Sequence, residues 1–244
     1  MSVMTNETGN FASTTGFSGT RVAVANADAG VGPAVVAMFQ EMGATVATDT
    51  AQADADAAIA LDKTYAVKFL DECESQLGGL DVLVVSAPPV RNKPVLEMTP
   101  DELRSVVEAD LVFPALLMQE AARRMGARGY GRIIAFSSMS AKTGVHHNVA
   151  PYAAAKGGLL AFMRVLAAEM AETGVTVNAI ATALFEPQVA AMPEEKKARL
   201  KAGIPVGRFG RSSEAAHAVL YLSSPQAGFV TGECMNLSGG RFMD

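Results

Sequence analysis

Cysteine and basic residues are scarce in this chain, and their scarcity excludes several classes of protein. Only two of the 244 residues are cysteine, Cys73 and Cys234, which is too few for a disulfide-stapled fold and is typical of the cytoplasm. Asp and Glu number 25 against 20 Lys and Arg, a net charge of -5, so no overall positive field attracts nucleic acid or an anionic membrane. Charges, Gly or Pro interrupt every apolar run before the roughly 18 residues of a membrane-spanning helix. We therefore expect a cytoplasmic protein without nucleic-acid or membrane partners.

The chain does contain enough apolar material for one large core. Half of its residues are hydrophobic, and the length suits a single α/β domain. Residues 1–19 are rich in Ser, Thr, Asn and Gly and show no regular periodicity. We therefore predict a flexible N-terminal tail over residues 1–19 and one domain over residues 20–244.

From Arg21 onward, short β-rich runs alternate with longer segments of helical periodicity. The strand-like runs cover residues 21–25, 44–50, 57–61, 81–87, 132–138, 175–181 and 233–239. Helical patterns separate them, and one opens with the capping-box residues Thr99 and Glu102 and continues to about Met125. This alternation predicts right-handed βαβ units. The fold class predicted is therefore α/β, a single doubly wound Rossmann-type domain with a mostly parallel seven-stranded sheet.

The turn after the first predicted strand is built from small residues and leads into a helix. Small side chains let the backbone approach a pyrophosphate, whose charge the free N–H groups of a helix N-terminus stabilise. The turn residues expected to contact a dinucleotide are Asn26, Asp28, Gly30, Val31 and Gly32. Asp49 ends the second predicted strand, where a carboxylate can accept from a ribose 2′-hydroxyl, and no Arg or Lys stands beside it for a 2′-phosphate. The pattern favours NAD over NADP, although a glycine-rich turn can also serve packing alone.

Tyr152 and Lys156 stand four residues apart in a strong helical pattern and therefore share one helix face. A phenol, with an ordinary pKa of about 10, becomes a better base when a cation lies beside it. Ser138 ends the strand that precedes this helix, so its hydroxyl can hold a substrate oxygen for proton exchange with Tyr152, and Ser140 is a second candidate. Each pattern is short, and two half-exposed side chains or a turn-closing serine would look the same.

Together these patterns resemble the short-chain dehydrogenase/reductase family. The similarity extends from about Arg21 to Gly240 and includes residues 80–84, 177–181, 207–210, 229–232 and 238–240. The resemblance implies that Tyr152 exchanges a proton with the substrate oxygen, which Ser138 polarises. It also implies that Lys156 lowers the tyrosine pKa and holds the nicotinamide ribose.

The resemblance implies further contacts and partners. Additional cofactor contacts are expected where later strands end, at Leu61, Asp62, Ser86, Ala87 and Thr182. The reaction implied is the NAD-dependent interconversion of a small-molecule secondary alcohol and a ketone. A homotetramer is also implied, built partly from the helices around residues 105–125 and 150–172.

The chain departs from the family pattern mainly around the cofactor. Asn26 stands in place of a glycine, Thr182 in place of a proline, and Pro187 in place of the threonine that usually anchors the carboxamide. Asp110 replaces an asparagine behind the catalytic lysine, and we include it among the catalytic residues. A second negative charge there opposes Lys156, so we expect it to raise the phenol pKa and make the activity optimum more alkaline.

These departures leave two alternatives open. Some resemble the halohydrin dehalogenases, relatives that bind a halide instead of a nucleotide, but those enzymes carry arginine at the position of Lys156 and an aromatic residue at the position of Gly30. The other alternative is a non-catalytic dinucleotide-binding protein that holds the nicotinamide too loosely for hydride transfer.

His146 and His147 lie in the loop before the Tyr152 helix and could border the substrate. Adjacent histidines without a third ligand seldom bind a metal, so no metal site is predicted. Residues 184–203 are expected to cover the substrate, but their sequence does not identify its chemistry.

Overall fold

The structure, a computed structural model, describes residues 16–49 and 63–243 and contains one parallel sheet. Its strands are β1 (Arg21–Ala25), β2 (Thr45–Thr48), β3 (Val82–Val85), β4 (Gly131–Ser138), β5 (Val175–Thr182) and β6 (Cys234–Leu237). They lie in the order β2-β1-β3-β4-β5-β6, and each neighbouring pair is parallel. The predicted single doubly wound α/β domain is confirmed.

The sheet of the described residues has six strands, one fewer than the sequence predicts. The additional strand predicted over residues 57–61 lies outside the described residues, and so do Leu61 and Asp62. Because β1 lies between β2 and β3, the chain runs first to one side of β1 and later to the other. At such a switch point the loops diverge beyond the carboxyl ends of the strands and leave a crevice for ligands.

The helices are α1 (Gly32–Glu41), α2 (Lys63–Leu77), α3 (Pro100–Val107), α4 (Phe113–Arg128), α5 (Ala150–Met170), α6 (Glu186–Val189), α7 (Glu194–Ala202) and α8 (Ser212–Ser223). They cover both faces of the sheet and enclose two cores. Helices α2, α4 and α5 pack on one face, and α1 and α8 on the other. Among the described helices, none combines the length and hydropathy needed to span a bilayer.

The alternation of side chains along β4 explains how one strand serves both cores. Ile133 and Ala135 belong to the core under α4 and α5, whereas Ile134 and Phe136 belong to the core under α8. Successive side chains of a strand point to opposite faces, so a buried central strand is apolar on both. This arrangement brings the last strand residue, Ser138, to the edge of the sheet between the two helical layers.

The described part of the segment predicted as a tail is packed against the domain. Phe17 is buried, lies edge-on to Phe39 of α1 with ring centres 5.3 Å apart, and donates its backbone N–H to Met42 O at 2.9 Å. The domain therefore includes Phe17, and residues 1–15 lie outside the described residues.

The helix predicted from residue 100 to about 125 is interrupted. A wide π-helical turn over Glu108–Val112 separates α3 from α4. Pro114 in the first turn of α4 has no N–H to donate to the carbonyl four residues earlier, at Asp110. The helical pattern predicted one continuous helix to about Met125, and the turn that carries Asp110 into the protein interior was not predicted.

The start of α3 gives a test of local stability. Thr99 Oγ1 accepts from Glu102 N at 3.2 Å and Thr99 N donates to Glu102 Oε2 at 2.7 Å, a complete capping box. We expect Thr99→Ala to lower the free energy of unfolding by about 1 kcal/mol, because the Glu102 N–H loses its acceptor. Urea denaturation measures this, with Thr99→Ser as the control that keeps the hydroxyl. Equal losses in the two variants would contradict the capping account.

Candidate active site

Ser138, Tyr152 and Lys156 lie together at the carboxyl edge of the sheet. Ser138 ends β4, while Tyr152 and Lys156 occupy the first two turns of α5. The Ser138 side chain is hydrogen-bonded to the Tyr152 phenol, and Lys156 Nζ lies 5.8 Å from the centre of the tyrosine ring. Ser138 Oγ also accepts from Ser140 N at 3.1 Å, so Ser140 closes the turn and orients Ser138.

Asp110 lies directly behind the lysine. Its Oδ1 is 3.2 Å from Lys156 Nζ, and both side chains are nearly inaccessible to solvent, with exposed fractions of 7% and 2%. Lys156 Nζ also donates to the carbonyl of Phe136 at 3.2 Å. The π-helical turn aims the Asp110 carboxylate at the lysine, and the result is a buried ion pair next to the phenol.

The pKa of Tyr152 is raised, whereas a nearby lysine alone would be expected to lower it. Burial raises the pKa of Tyr152, the negative charge of Asp110 raises it further, and only the hydrogen bond with Ser138 lowers it. Burial lowers the pKa of Lys156, which Asp110 opposes. The expected lowering of the phenol pKa by Lys156 is therefore not what the structure gives, because the phenol is buried and Asp110 offsets the ammonium charge.

Burial also acts on Asp110. It raises the pKa of this carboxyl group, against the opposing charges of Lys156 and then Arg91. The proximity of Arg91 was not foreseen from the sequence.

The proposed phosphate turn has the backbone shape that its composition suggests. Gly30 has a φ of +58°, and a Cβ on Gly32 would lie 2.5 Å from Ala27 O, so no larger residue fits there without movement. Gly32 is the first residue of α1 and Val31 its N-cap, so the helix begins directly behind the turn. Asp28 and Gly30 are exposed on the loop. The turn therefore leaves an open approach to the N-terminus of α1.

Asn26 accounts for the missing glycine of the family pattern. Its φ of +53° is left-handed, a conformation that asparagine tolerates better than most residues. Its Nδ2 donates to Ser86 O at 3.0 Å, and Ser86 Oγ donates to Ala29 O at 3.3 Å. Asn26 thus keeps the backbone shape and also ties the first turn to the loop after β3. Its buried Oδ1 has no hydrogen-bond partner among the described residues.

Asp49 lies just beyond β2 and is buried, with its carboxylate accepting a hydrogen bond from the Tyr65 hydroxyl. Tyr65 also packs against Phe113, with ring centres 5.5 Å apart. Tyr65 lies within an ordinary helical pattern, which gives no local signal of its contact with Asp49. The hydrogen bond fixes the orientation of the Asp49 carboxylate.

The remaining cofactor candidates line the same edge. Ala87 faces the phosphate turn, since a Cβ on Gly30 would lie 3.9 Å from its carbonyl oxygen. Thr182 ends β5 opposite Ser138 in register, and its Oγ1 donates to Ser137 O at 3.4 Å. Pro187 lies in the first turn of α6 and offers no hydroxyl. The described candidates therefore lie along the carboxyl edge of the sheet.

A cavity of about 240 Å³ opens further along this edge, among residues that include Leu184, Ile204, Val206 and Asn236. Its lining includes Ala183, which directly follows Thr182, and Thr182 pairs with Ser138, so the cavity reaches the strand next to the serine. The covering segment contributes α7, in which no residue is buried.

An apolar cluster packs against the tyrosine, and His146 lies in the loop before α5. Val106 and Val149 pack against Tyr152 together with Val90 and Met98, which gives the crevice an apolar wall. His146 Nδ1 lies 3.2 Å from Thr143 Oγ1, and burial together with the charge of Arg241 lowers its pKa. Within residues 16–49 and 63–243, no three His, Cys, Asp or Glu side chains converge in a way that could hold a metal ion.

Comparison with known proteins identifies the family. The model described as enoyl-(acyl carrier protein) reductase, a branch of the short-chain dehydrogenases/reductases, matches residues 18–241. The chain belongs to the short-chain dehydrogenase/reductase family. This short-chain dehydrogenase/reductase is 34% identical over 175 residues to the 3-oxoacyl-[acyl-carrier-protein] reductase of Escherichia coli, which covers 71% of each chain. It is 34% identical over 239 residues to the cis-4-hydroxycyclohexanecarboxylate dehydrogenase of Sinomonas cyclohexanicum, which covers 90% of this chain and 96% of that one.

Two solved structures with different described activities have the same fold as this chain. A structure described as a short-chain alcohol dehydrogenase from Sinorhizobium meliloti 1021 has a TM-score of 0.83 and 28% identity, covering 93% of this chain and 97% of that one. A dehalogenation enzyme has a TM-score of 0.81 and 26% identity, covering 93% and 99%. This short-chain dehydrogenase/reductase thus shares its fold with both an alcohol dehydrogenase and a dehalogenation enzyme.

The Asp110–Lys156 pair generates a prediction about pH. In a reaction for which Tyr152 is the general base, the phenolate is the active form, and Asp110 raises the pKa of that phenol. Asp110→Asn removes the negative charge, so the phenolate forms at lower pH and the rising limb of kcat/KM for oxidation moves toward acid. A pH–rate profile of the two proteins measures this. A profile that stays in place, or moves toward alkali, would contradict the role given to Asp110.

Proposed function

We propose that the protein is an NAD(H)-dependent oxidoreductase that interconverts a secondary alcohol and a ketone. The observation that carries the proposal is the hydrogen-bonded Ser138–Tyr152 pair with Lys156 beside it, at the mouth of the crevice. Arrangements of this kind serve general acid–base catalysis on a bound oxygen atom.

In the direction of oxidation, Ser138 and Tyr152 bind the hydroxyl oxygen of the substrate. Tyr152 takes its proton as the carbonyl forms, and in reduction it returns the proton to the same oxygen. Lys156 contributes a positive charge that is fixed by Phe136 O and Asp110 rather than by solvent. The buried surroundings keep water from competing for the substrate oxygen.

The residues of the crevice fit a dinucleotide. Gly32 and Gly30 leave room for a pyrophosphate at the start of α1, and the Asp49 carboxylate suits an adenine ribose. Lys156 is assigned to the nicotinamide ribose. A nicotinamide held there would supply the hydride acceptor for oxidation and the hydride donor for reduction.

The names of two relatives support the substrate class. The Escherichia coli relative is named for reduction of a 3-oxoacyl group and the Sinomonas relative for oxidation of a ring hydroxyl. Both names imply the interconversion of a secondary alcohol and a ketone. The apolar wall around Tyr152 and the cavity beyond Thr182 suit a substrate with a hydrocarbon body.

Dehalogenation is the second candidate, since a dehalogenation enzyme shares the fold across almost the whole chain. Two residues favour the oxidoreductase. Lys156 is a lysine held by Asp110, and Gly30 is an exposed glycine that leaves the nucleotide site open. The third candidate, a protein that binds the dinucleotide without catalysis, draws support from Pro187, which lacks the carboxamide-anchoring hydroxyl.

We include a homotetramer in the proposal. The π-helical turn, α4 and α5 together form an apolar groove lined by Leu111, Val112, Ala115, Leu116, Gln119, Gly158 and Phe162. Association of copies through such a groove would remove it from water.

The proposed reaction is tested by following NADH formation with a panel of secondary alcohols that includes 4-hydroxycyclohexanecarboxylate and 3-hydroxybutyrate. We expect Tyr152→Phe to lower kcat by roughly 100-fold or more, since the general base is lost. The affinity for NAD should be retained. Tyr221→Phe, on the exposed face of α8, is the matched control. Halide release from a haloalcohol would favour the dehalogenase, and NAD binding with neither reaction the non-catalytic protein.

Cofactor choice gives a separate prediction. We expect Asp49→Asn to weaken NAD binding and to reduce the preference for NAD over NADP, because the carboxylate both binds a 2′-hydroxyl and repels a 2′-phosphate. Tyr65→Phe, which keeps the ring against Phe113 but removes the hydrogen bond, should change the NAD Kd in the same direction by about 3- to 10-fold. Titration calorimetry measures both. An unchanged NAD Kd in Asp49→Asn would exclude contact with the ribose.

A further inference from the structure

Helix α2 carries a hydrogen-bond donor to the carboxylate that we assign to the adenine ribose. The Tyr65 hydroxyl donates to Asp49, and the Tyr65 ring packs edge-on against Phe113, the first residue of α4. Leu70 and Cys73 of the same helix belong to the core under α4 and α5. The position of α2 therefore decides where the Tyr65 hydroxyl meets Asp49.

Arg124 of α4 joins the two helices through ion pairs. Its guanidinium lies 2.8 Å from Oδ1 of Asp71 and 2.8 Å from Oε2 of Glu74, both on α2. Its Nη2 also donates to the carbonyl of Val67 at 3.4 Å, and its Nε lies 2.8 Å from Glu120 Oε1 on α4. One side chain, only 10% exposed, thus connects α4 to three residues of α2.

These ion pairs add a constraint that apolar packing does not supply. Hydrophobic contacts are non-directional, so they hold α2 on the core but tolerate small movements along its axis. The hydrogen bonds of a guanidinium depend on distance and angle, and they fix the axial position of the helix. Tyr65 precedes Asp71 on the same helix by roughly 9 Å along the axis, so a movement of α2 at Arg124 also displaces the Tyr65 hydroxyl.

The neighbouring arginines of α4 make different contacts. Arg123 is 68% exposed and, within the described part of the chain, forms hydrogen bonds only with Glu120 of its own helix. Arg128 lies 3.0 Å from Glu74 near the end of α2 and donates to the carbonyl of Leu80 beyond it. Of the three, Arg124 makes the contact closest to Tyr65, at Val67.

We propose that Arg124 is a positioning residue for the cofactor: it fixes α2 on α4, holds the Tyr65 hydroxyl on Asp49 and so sets the affinity for the adenosine end of NAD. This inference rests on the proposed NAD-dependent reaction. It adds a residue that contacts neither cofactor nor substrate. Because the proton transfer assigned to Tyr152 takes place at the other end of the cofactor, the effect of Arg124 falls on NAD binding and not on the reaction step.

The experiment measures the NAD Kd by titration calorimetry and kcat with saturating NAD. We expect Arg124→Gln to raise the Kd by about 3- to 10-fold, as for loss of the Tyr65 hydrogen bond, with kcat within about twofold of wild type. Arg124→Lys keeps the charge but not the planar set of donors, so its Kd should be intermediate. Arg123→Gln is the matched control and should bind NAD like the wild-type protein.

Arg124→Gln is expected to fold because it leaves no buried carboxylate without a cation. Glu120 keeps Arg123, Glu74 keeps Arg128, and Asp71 is 62% exposed. Urea denaturation of each variant shows that the binding measurements are made on folded protein.

A double-mutant cycle separates positioning of Tyr65 from a general structural effect. In a Tyr65→Phe background the hydrogen bond is already lost, so adding Arg124→Gln should change the NAD Kd by less than about twofold. Multiplied effects of the two substitutions would overturn the inference. Weaker NAD binding in Arg123→Gln to the same extent as in Arg124→Gln, or a loss of kcat with an unchanged Kd, would overturn it as well.

If the wild-type protein binds no NAD, the proposed function has failed, and the connection between Arg124 and Tyr65 is decided without cofactor. The chain has 4 tyrosines, and NMR of protein with isotope-labelled tyrosine identifies Tyr65 as the signal that disappears in Tyr65→Phe. A shift of that signal in Arg124→Gln but not in Arg123→Gln supports the positioning role. An unchanged signal, or equal shifts in both variants, overturns it.

Discussion

The buried ion pair between Lys156 and Asp110 is the interaction on which the rest of the site depends. An ammonium and a carboxylate that are both removed from water each need a partner, and here each is the other's. The pair fixes α5 against the π-helical turn before α4, and it holds Lys156 against the end of β4. Tyr152 takes its position from the same helix. The separation of phenol, ammonium and serine is thus set by packing rather than by flexible side chains.

The cofactor side of the crevice departs from the family in sequence more than in shape. Asn26 adopts the left-handed backbone that a glycine would otherwise supply, and its amide bridges to the loop after β3. The hydrogen bond from Asn26 Nδ2 to Ser86 O restrains the backbone at a position where glycine would be more flexible. A residue that departs from a sequence motif can therefore still adopt the backbone geometry that the motif usually indicates.

Much of the architecture could be read from the sequence because the signals were local. Thr99 and Glu102 begin a helix through contacts three residues apart, and Tyr152 and Lys156 share a face because a helix has a fixed period. Apolar runs marked the strands, and each strand end marked the position of a site residue. The family resemblance added the expectation that these strand ends meet at one crevice.

The contacts that escaped prediction join residues distant in sequence or depend on backbone irregularity. Tyr65 meets Asp49 only because α2 packs beside β2, and Arg91 meets Ser105 only because the loop after β3 folds back on α3. The inward turn at Asp110 follows from a missing N–H at Pro114, whose effect on a neighbouring turn depends on what the helix packs against. The direction of the Tyr152 pKa shift could not be predicted from the sequence either, because it depends on how deeply the phenol is buried.

The exposure of helix α7 affects which substitutions the protein can accept. Since none of its side chains is buried, replacing them removes no hydrophobic contact from either core. Random substitution in residues 194–202, part of the segment expected to cover the substrate, should therefore cost little folding free energy. The segment is a natural position for libraries that seek new substrates on an unchanged scaffold.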